Sequence, residues 1–174
     1  MRLDKVTIVG SSGSGKSTLA ARLGQVLDLP VYHLDRLFWR PGWQETPRDE
    51  WRALQEKLCA EPRWIIDGNY GGTLDIRLAA CETVVWLDLP TSACLAGTLW
   101  RILCYRGRTR PDMGEGCPER LDWAFLRWIW SFRRVARPRI VQKLSALPPS
   151  TEVIALTSRR EMAEWLERAR NSVR

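Results

Sequence analysis

The stretch Ile8-Val9-Gly10-Ser11-Ser12-Gly13-Ser14-Gly15-Lys16-Ser17-Thr18 decides the fold. From Gly10 to Ser17 it satisfies G-x-x-x-x-G-K-[ST] at each fixed position. An apolar run, Leu3–Val9, leads into it, and a helix-forming run from Lys16 to about Leu27 leads out. This strand–loop–helix setting is the one the pattern requires. Gly10, Gly13 and Gly15 let the backbone turn its N–H groups inward, and the helix N-terminus adds positive potential. The loop therefore predicts a nucleotide phosphate cradle. Gly10, Ser11, Ser12, Gly13, Ser14, Gly15, Lys16, Ser17 and Thr18 line it, Lys16 reaches the β- and γ-phosphates, and Ser17 ligates Mg²⁺. The plainer alternative, a glycine-rich turn before a capped helix, leaves Lys16 without a purpose.

Further strands are expected at Val31–Leu34, Trp64–Ile66, Thr83–Leu89 and Glu152–Leu156. Helices are expected at Asp49–Cys59, Thr73–Ala80, Ser92–Tyr105, Glu119–Leu144 and Arg160–Arg170. Phe38–Pro47 and Arg106–Pro118 are rich in glycine and proline and read as loops. Five short apolar strands alternating with helices predict an α/β fold with a parallel sheet. At 174 residues, with no repeat or low-complexity linker, the chain predicts one domain, residues 1–174.

Hydrophobic residues make up 45% and charged residues 27%, which excludes a disordered or fibrous chain. No uncharged apolar run approaches the ~18 residues of a membrane span. The N-terminus lacks the pattern of a signal peptide, so a cytoplasmic protein without a membrane partner is expected. Five cysteines without a CxxC pair, and His33 as the one histidine, argue for reduced thiols and against zinc. The formal net charge of +7 is local. Residues 100–143 hold eleven Lys or Arg against four acids, and the rest of the chain is balanced. Ten of the eleven are arginine, suited to gripping phosphate oxygens in pairs.

Four sequence markers carry a resemblance: Gly10–Thr18 (GSSGSGKST), Tyr32–Trp43 (YHLDRLFWRPGW), Trp64–Tyr70 (WIIDGNY), and RGRTRPDM followed by RWIWSFRR. With these the chain resembles the P-loop nucleoside-monophosphate-kinase superfamily, and within it the adenylate-kinase-like DNA topology modulation proteins. The resemblance implies a P-loop NTPase, three-layer α/β/α, with five parallel strands in the order 2-3-1-4-5. It implies ATP and Mg²⁺ as cofactors, an acceptor-binding insert at about 35–61 and a short lid at about 106–118. It also implies a nucleotide-contacting role for Arg106 in the lid and Arg159 in the loop after the last strand.

Three acids follow strands. By the resemblance, Asp67 occupies the Mg²⁺-holding position beside the P-loop strand, with Asp88 its competitor. Adenylate kinases continue Asp-Gly-Phe-Pro-Arg, and that arginine touches the acceptor phosphate. Here Asn69-Tyr70-Gly71 follows, leaving Arg77 to substitute. Asp35 and His33 are expected on one side of a short strand. Related small-molecule kinases place a carboxylate at the Asp35 position to orient or deprotonate an acceptor hydroxyl. Asp35 as a turn carboxylate paired with Arg36 or Arg40, and His33 as a structural histidine, remain the alternatives.

Arg108 and Arg110 are assigned to a lid that folds over ATP, and Arg134 to the helix after it. All three are candidate catalytic residues, together with Lys16 and Asp35. On that helix Leu121, Phe125, Trp128, Phe132 and Val135 step as a core stripe, with most tryptophans expected as core or loop anchors. The expected activity is transfer of the ATP γ-phosphoryl group to a small hydroxyl metabolite or a nucleotide. The alternative is an ATP-switched regulatory protein that grips nucleic acid with the Arg/Trp segment.

Overall fold

The computed structural model describes residues 3–172, so the ends of the expected 1–174 span lie outside it. Five parallel strands form the sheet: β1 (Lys5–Gly10), β2 (Val31–His33), β5 (Trp64–Asp67), β6 (Thr83–Leu87) and β7 (Glu152–Leu156). Their order is β2-β5-β1-β6-β7, which is 2-3-1-4-5 when only sheet strands are counted. A second, two-stranded antiparallel ribbon joins β3 (Trp39–Arg40) and β4 (Gln44–Glu45).

Alternation along the buried strands divides the core between the two faces of the sheet. Val6, Ile8, Ile65, Val85 and Leu87 enter one cluster with α1 (Lys16–Leu27) and α7 (Arg159–Asn171). Val9, Trp64, Ile66 and Val84 enter the other with α3 (Arg48–Ala60), α4 (Leu74–Ala80) and the C-terminal half of α6 (Trp123–Ser145). The remaining helices are the short α2 (Leu34–Phe38) and α5 (Thr91–Tyr105). No helix among the described residues is long and apolar enough to cross a membrane. The five cysteines are all free, four of them buried.

Three expectations change. The second strand ends at His33, and Asp35 lies in the first turn of α2. His33 and Asp35 thus do not share a strand face. Phe38–Pro47 is not plain loop but holds the β3–β4 hairpin. Helix α6 begins at Trp123, not Glu119, because Asp122 caps it by accepting from the Ala124 and Phe125 amides. Glu119 is instead tied to the preceding loop: its N–H donates to the Arg108 carbonyl and its carbonyl accepts from Gly107.

The α6 core stripe is also shifted in phase. Ile129, Phe132, Ile140 and Leu144 are buried, while Leu121 and Val135 are half exposed at 50% and 53%. Phe125 and Trp128 line a cavity, and Phe125 also packs against the core. Trp51, Trp64 and Trp165 are buried anchors, but Trp100, Trp123 and Trp130 face solvent.

Candidate active site

The P-loop is seated on α5. A Cβ on Gly13 (φ 74°) would stand 2.0 Å from the Cys94 carbonyl oxygen, and one on Gly97 would stand 2.3 Å from the Gly13 carbonyl oxygen. Both glycines are needed for the backbones to approach this closely. Gly97 lies inside a helix, where glycine is disfavoured, and contact with the loop explains it. Gly97→Ala is expected to displace the loop at a cost of about 1–3 kcal/mol, lowering the melting temperature and weakening nucleotide binding together. A variant with wild-type melting and wild-type nucleotide affinity would show that the packing is not tight.

The C-terminal edge of the sheet brings the acids into place. Parallel register sets His33 beside Asp67 and Asp67 beside Ile8. The Ser17 hydroxyl donates to Asp67 Oδ2 at 2.8 Å, and His33 Nδ1 donates to Asp67 Oδ1. Burial pulls the His33 imidazole down, but the Asp67 hydrogen bond and charge outweigh it, and the net shift is upward. Lys16 donates from Nζ to the Ser11 carbonyl at 2.9 Å. Desolvation lowers its pKa, opposed by the charges of Asp35 and then Asp67.

A hard hydroxyl–carboxylate pair beside a phosphate cradle fits Mg²⁺. Among the described residues no group of three or more His, Cys, Asp or Glu is arranged to hold a metal ion. A cation at Ser17 and Asp67 would take its remaining ligands from phosphate and water, which is how Mg²⁺ is commonly bound.

Asp88 has another partner. Arg137 donates to both its carboxylate oxygens, from Nε at 2.9 Å and from Nη2 at 2.8 Å. This pair ties α6 to the end of β6.

The segment after β5 links three parts of the site. Asn69 Oδ1 accepts from the Gly10 amide at 3.0 Å, and the Tyr70 hydroxyl donates to Asp35 Oδ1 at 2.8 Å. Burial and the Asp35 charge raise the Tyr70 pKa, so Tyr70 stays a donor. Arg77 is fully buried and donates to the Gly68 and Asn69 carbonyls. Burial lowers its pKa to about 10, still well above neutrality. It fixes this segment, so the expectation that Arg77 touches an acceptor phosphate is corrected.

One cavity of about 770 Å³ runs from Ser12 and Lys16 past Asp35 and Tyr70. Trp39 and Trp43 of the hairpin and Phe125 and Trp128 of α6 supply aromatic wall. Arg101 lies where the P-loop opens into it, donating from Nη1 to Ser12 Oγ at 3.2 Å and from Nη2 to Glu119 Oε1 at 3.0 Å. Arg110 also lines the cavity, but it is buried and paired with Asp112 at 2.8 Å and Glu119 at 2.7 Å. The loop at 106–118 rests on the hairpin. The Gly42 amide donates to the Gly116 carbonyl, and Cys117 Sγ lies 3.2 Å from the Arg40 carbonyl.

The other arginines stand apart. Arg106, Arg108 and Arg134 are exposed and outside the cavity wall. Arg159 is exposed, with a guanidinium nitrogen 3.0 Å from where a Gly97 Cβ would stand, next to the P-loop seat. Sequence reasoning did not single out Arg101, Glu119, Asn69 or Tyr70. Helical spacing carried the signal for Arg101: Gly97, Thr98 and Arg101 fall on one face of α5, and all three meet the P-loop.

No protein-family model matches the sequence, and no curated protein matches it. Solved structures do. Shikimate kinase from Acinetobacter baumannii superposes with a TM-score of 0.63 at 14% identity, over 98% of this chain and 93% of that one. A sugar kinase from Janibacter gives 0.53 at 21% identity, over 99% and 95%. A gluconokinase from Sinorhizobium meliloti gives 0.53 at 16%, over 99% and 97%. At these identities the likeness is one of fold: the chain has the α/β fold of the P-loop kinases, shikimate kinase among them.

Proposed function

We propose that the protein is an ATP-dependent kinase that transfers the γ-phosphoryl group to a hydroxyl of a small acceptor. The observation that carries this reading is one cavity lined by both the P-loop lysine and Asp35, with the Asp35 charge felt at Lys16. The P-loop amides and Lys16 hold the ATP phosphates, and Ser17 and Asp67 hold Mg²⁺. Bound there, the cation would neutralise phosphate charge. Asp35, oriented by Tyr70, accepts the acceptor's hydroxyl proton. The acceptor oxygen then forms its bond to the γ-phosphorus as the bridging bond breaks, and ADP leaves with that electron pair. Arg101 is the cation best placed to meet the group in flight, ahead of the lid residues Arg106, Arg108 and Arg110 and of Arg134. Segments 35–61 and 106–118 serve as acceptor insert and lid, joined by the Gly42–Gly116 contact. The four sequence markers support placing the chain in the topology modulation branch of the adenylate-kinase-like proteins.

A screen of small alcohols and nucleotides for acceptor-dependent ADP formation tests the activity. ADP release that no acceptor stimulates counts against a kinase. The two strand-end acids are expected to separate in the same assay. Asp67→Asn lowers turnover, with partial rescue by raised Mg²⁺ or by Mn²⁺. Asp88→Asn leaves turnover near wild type but loses about 1 kcal/mol of stability with its arginine pair. Equal turnover losses in the two variants would remove the assignment of Mg²⁺ to Asp67.

A second reading has its own observation. Trp100, Trp123 and Trp130 are 70%, 73% and 67% exposed on α5 and α6, and Arg127, Arg133 and Arg134 of α6 are exposed as well. Such a surface suits a nucleic-acid backbone, with ATP as a switch. Binding of single-stranded DNA that falls steeply with salt, without acceptor-dependent turnover, would favour it.

A further inference from the structure

We infer that the acceptor is an uncharged alcohol carrying a flat ring, the chemistry of a nucleoside, rather than a sugar acid or a nucleotide. This rests on the kinase reading and concerns the same cavity. The first ground is charge. The wall holds four cations, Lys16, Arg101, Arg110 and Arg120, and four carboxylates, Asp35, Glu45, Glu119 and Asp122. Lys16 belongs to the ATP phosphates and Arg101 to the group in transfer, which leaves Arg110 and Arg120 against four carboxylates, two negative charges in excess on the acceptor side.

The pairing is as closed as the count. Arg101 and Arg110 both bind Glu119, a carboxylate whose side chain is 5% exposed. Arg110 also binds Asp112. An anionic acceptor that drew these guanidiniums away would leave Glu119 buried with its charge uncompensated, and that is strongly unfavourable. Arg120 lies over the Trp43 ring, 5.5 Å from its centroid, and is exposed. A rim cation of this kind adds little affinity for an anion.

The second ground is shape. The aromatic wall comes from two separate elements. Trp39 and Trp43 meet edge to face at 5.5 Å on the hairpin, and Phe125 and Trp128 stack at 5.8 Å with 9° between planes on α6. A wall of this kind gains by contact with a flat ring and gains little from a hydrated sugar acid. The third ground is Asp35. A phosphate oxygen needs no base, whereas an alcohol does, and here a carboxylate fixed by Tyr70 faces the acceptor space.

The test is calorimetric titration of the ADP-loaded protein with adenosine, cytidine and thymidine, and with AMP, shikimate and gluconate. At least one nucleoside should bind about 10-fold or more tightly than every anion. Trp128→Leu should weaken nucleoside binding while leaving the weak anion binding unchanged. Glu119→Gln, which frees charge on Arg101 and Arg110, should tighten AMP and gluconate and narrow the gap. The wild-type ranking stands even if that variant does not fold. An anion that binds as tightly as the best nucleoside, or no nucleoside binding at all, overturns the inference. Phosphoryl transfer to such an anion would overturn it while leaving the kinase reading intact. Nucleoside binding in the stated order without phosphoryl transfer would uphold the ligand class and remove the kinase reading.

Discussion

Lys16→Ala is expected to abolish stabilisation by Mg·ATP. At about 100 times its dissociation constant, ATP should stabilise the wild-type fold by ~2.7 kcal/mol. For a domain of this size that is a rise of roughly 5–10 °C in melting temperature. Lys16 rests on the Ser11 carbonyl, a contact that can be given up to a phosphate. It has no partner deep in the core, so the variant should fold normally and melt near the unliganded wild type. Turnover should fall by at least ~10²-fold, because the same ammonium meets charge that develops during transfer. A variant that keeps the ATP-induced shift would mean that the loop does not hold the β- and γ-phosphates through this lysine.

The second large effect belongs to Asp35. Asp35→Asn keeps the shape and the hydrogen bond from Tyr70 but removes the proton acceptor. Transfer should fall by ~10²–10⁴-fold, with ATP affinity almost unchanged. Tyr70→Phe should give a smaller loss of the same kind, in kcat more than in ATP affinity, because Tyr70 positions the carboxylate. Wild-type turnover in Asp35→Asn would remove the hydroxyl acceptor, and a nucleotide phosphate would become the better acceptor class.

Much of this was legible in the sequence, for identifiable physical reasons. The phosphate loop follows from Gly10–Ser17 and the parallel α/β class from short apolar strands between helices, both local patterns, while the strand order was implied by the resemblance. Asp67 was picked out by the resemblance, and the structure brings it within hydrogen-bond distance of Ser17. Long-range pairing was not legible. Arg77 was expected to reach an acceptor phosphate, yet it is buried on the carbonyls of the segment that follows β5. Arg110 reads as a mobile lid cation, yet Glu119 and Asp112 hold it in the cavity wall.

The phase of α6 was lost for a related reason. Its sequence offers more than one apolar stripe, and what selects between them is the cavity that takes Phe125 and Trp128. Asp35 was placed at a strand end because the short strand reads through to Leu34 in the sequence. The strand stops at His33, where the chain turns into α2 and carries Asp35 toward Tyr70.

On the proposed mechanism the γ-phosphoryl group moves to an alcohol with Asp35 as base. Phosphorus NMR of the reaction mixture follows that group directly. Wild-type protein, Mg·ATP and the best-binding acceptor should yield ADP and a phosphomonoester in equal amounts, and Asp35→Asn should yield neither at a comparable rate. Inorganic phosphate in place of the ester, or an ester formed equally fast by Asp35→Asn, would contradict the account.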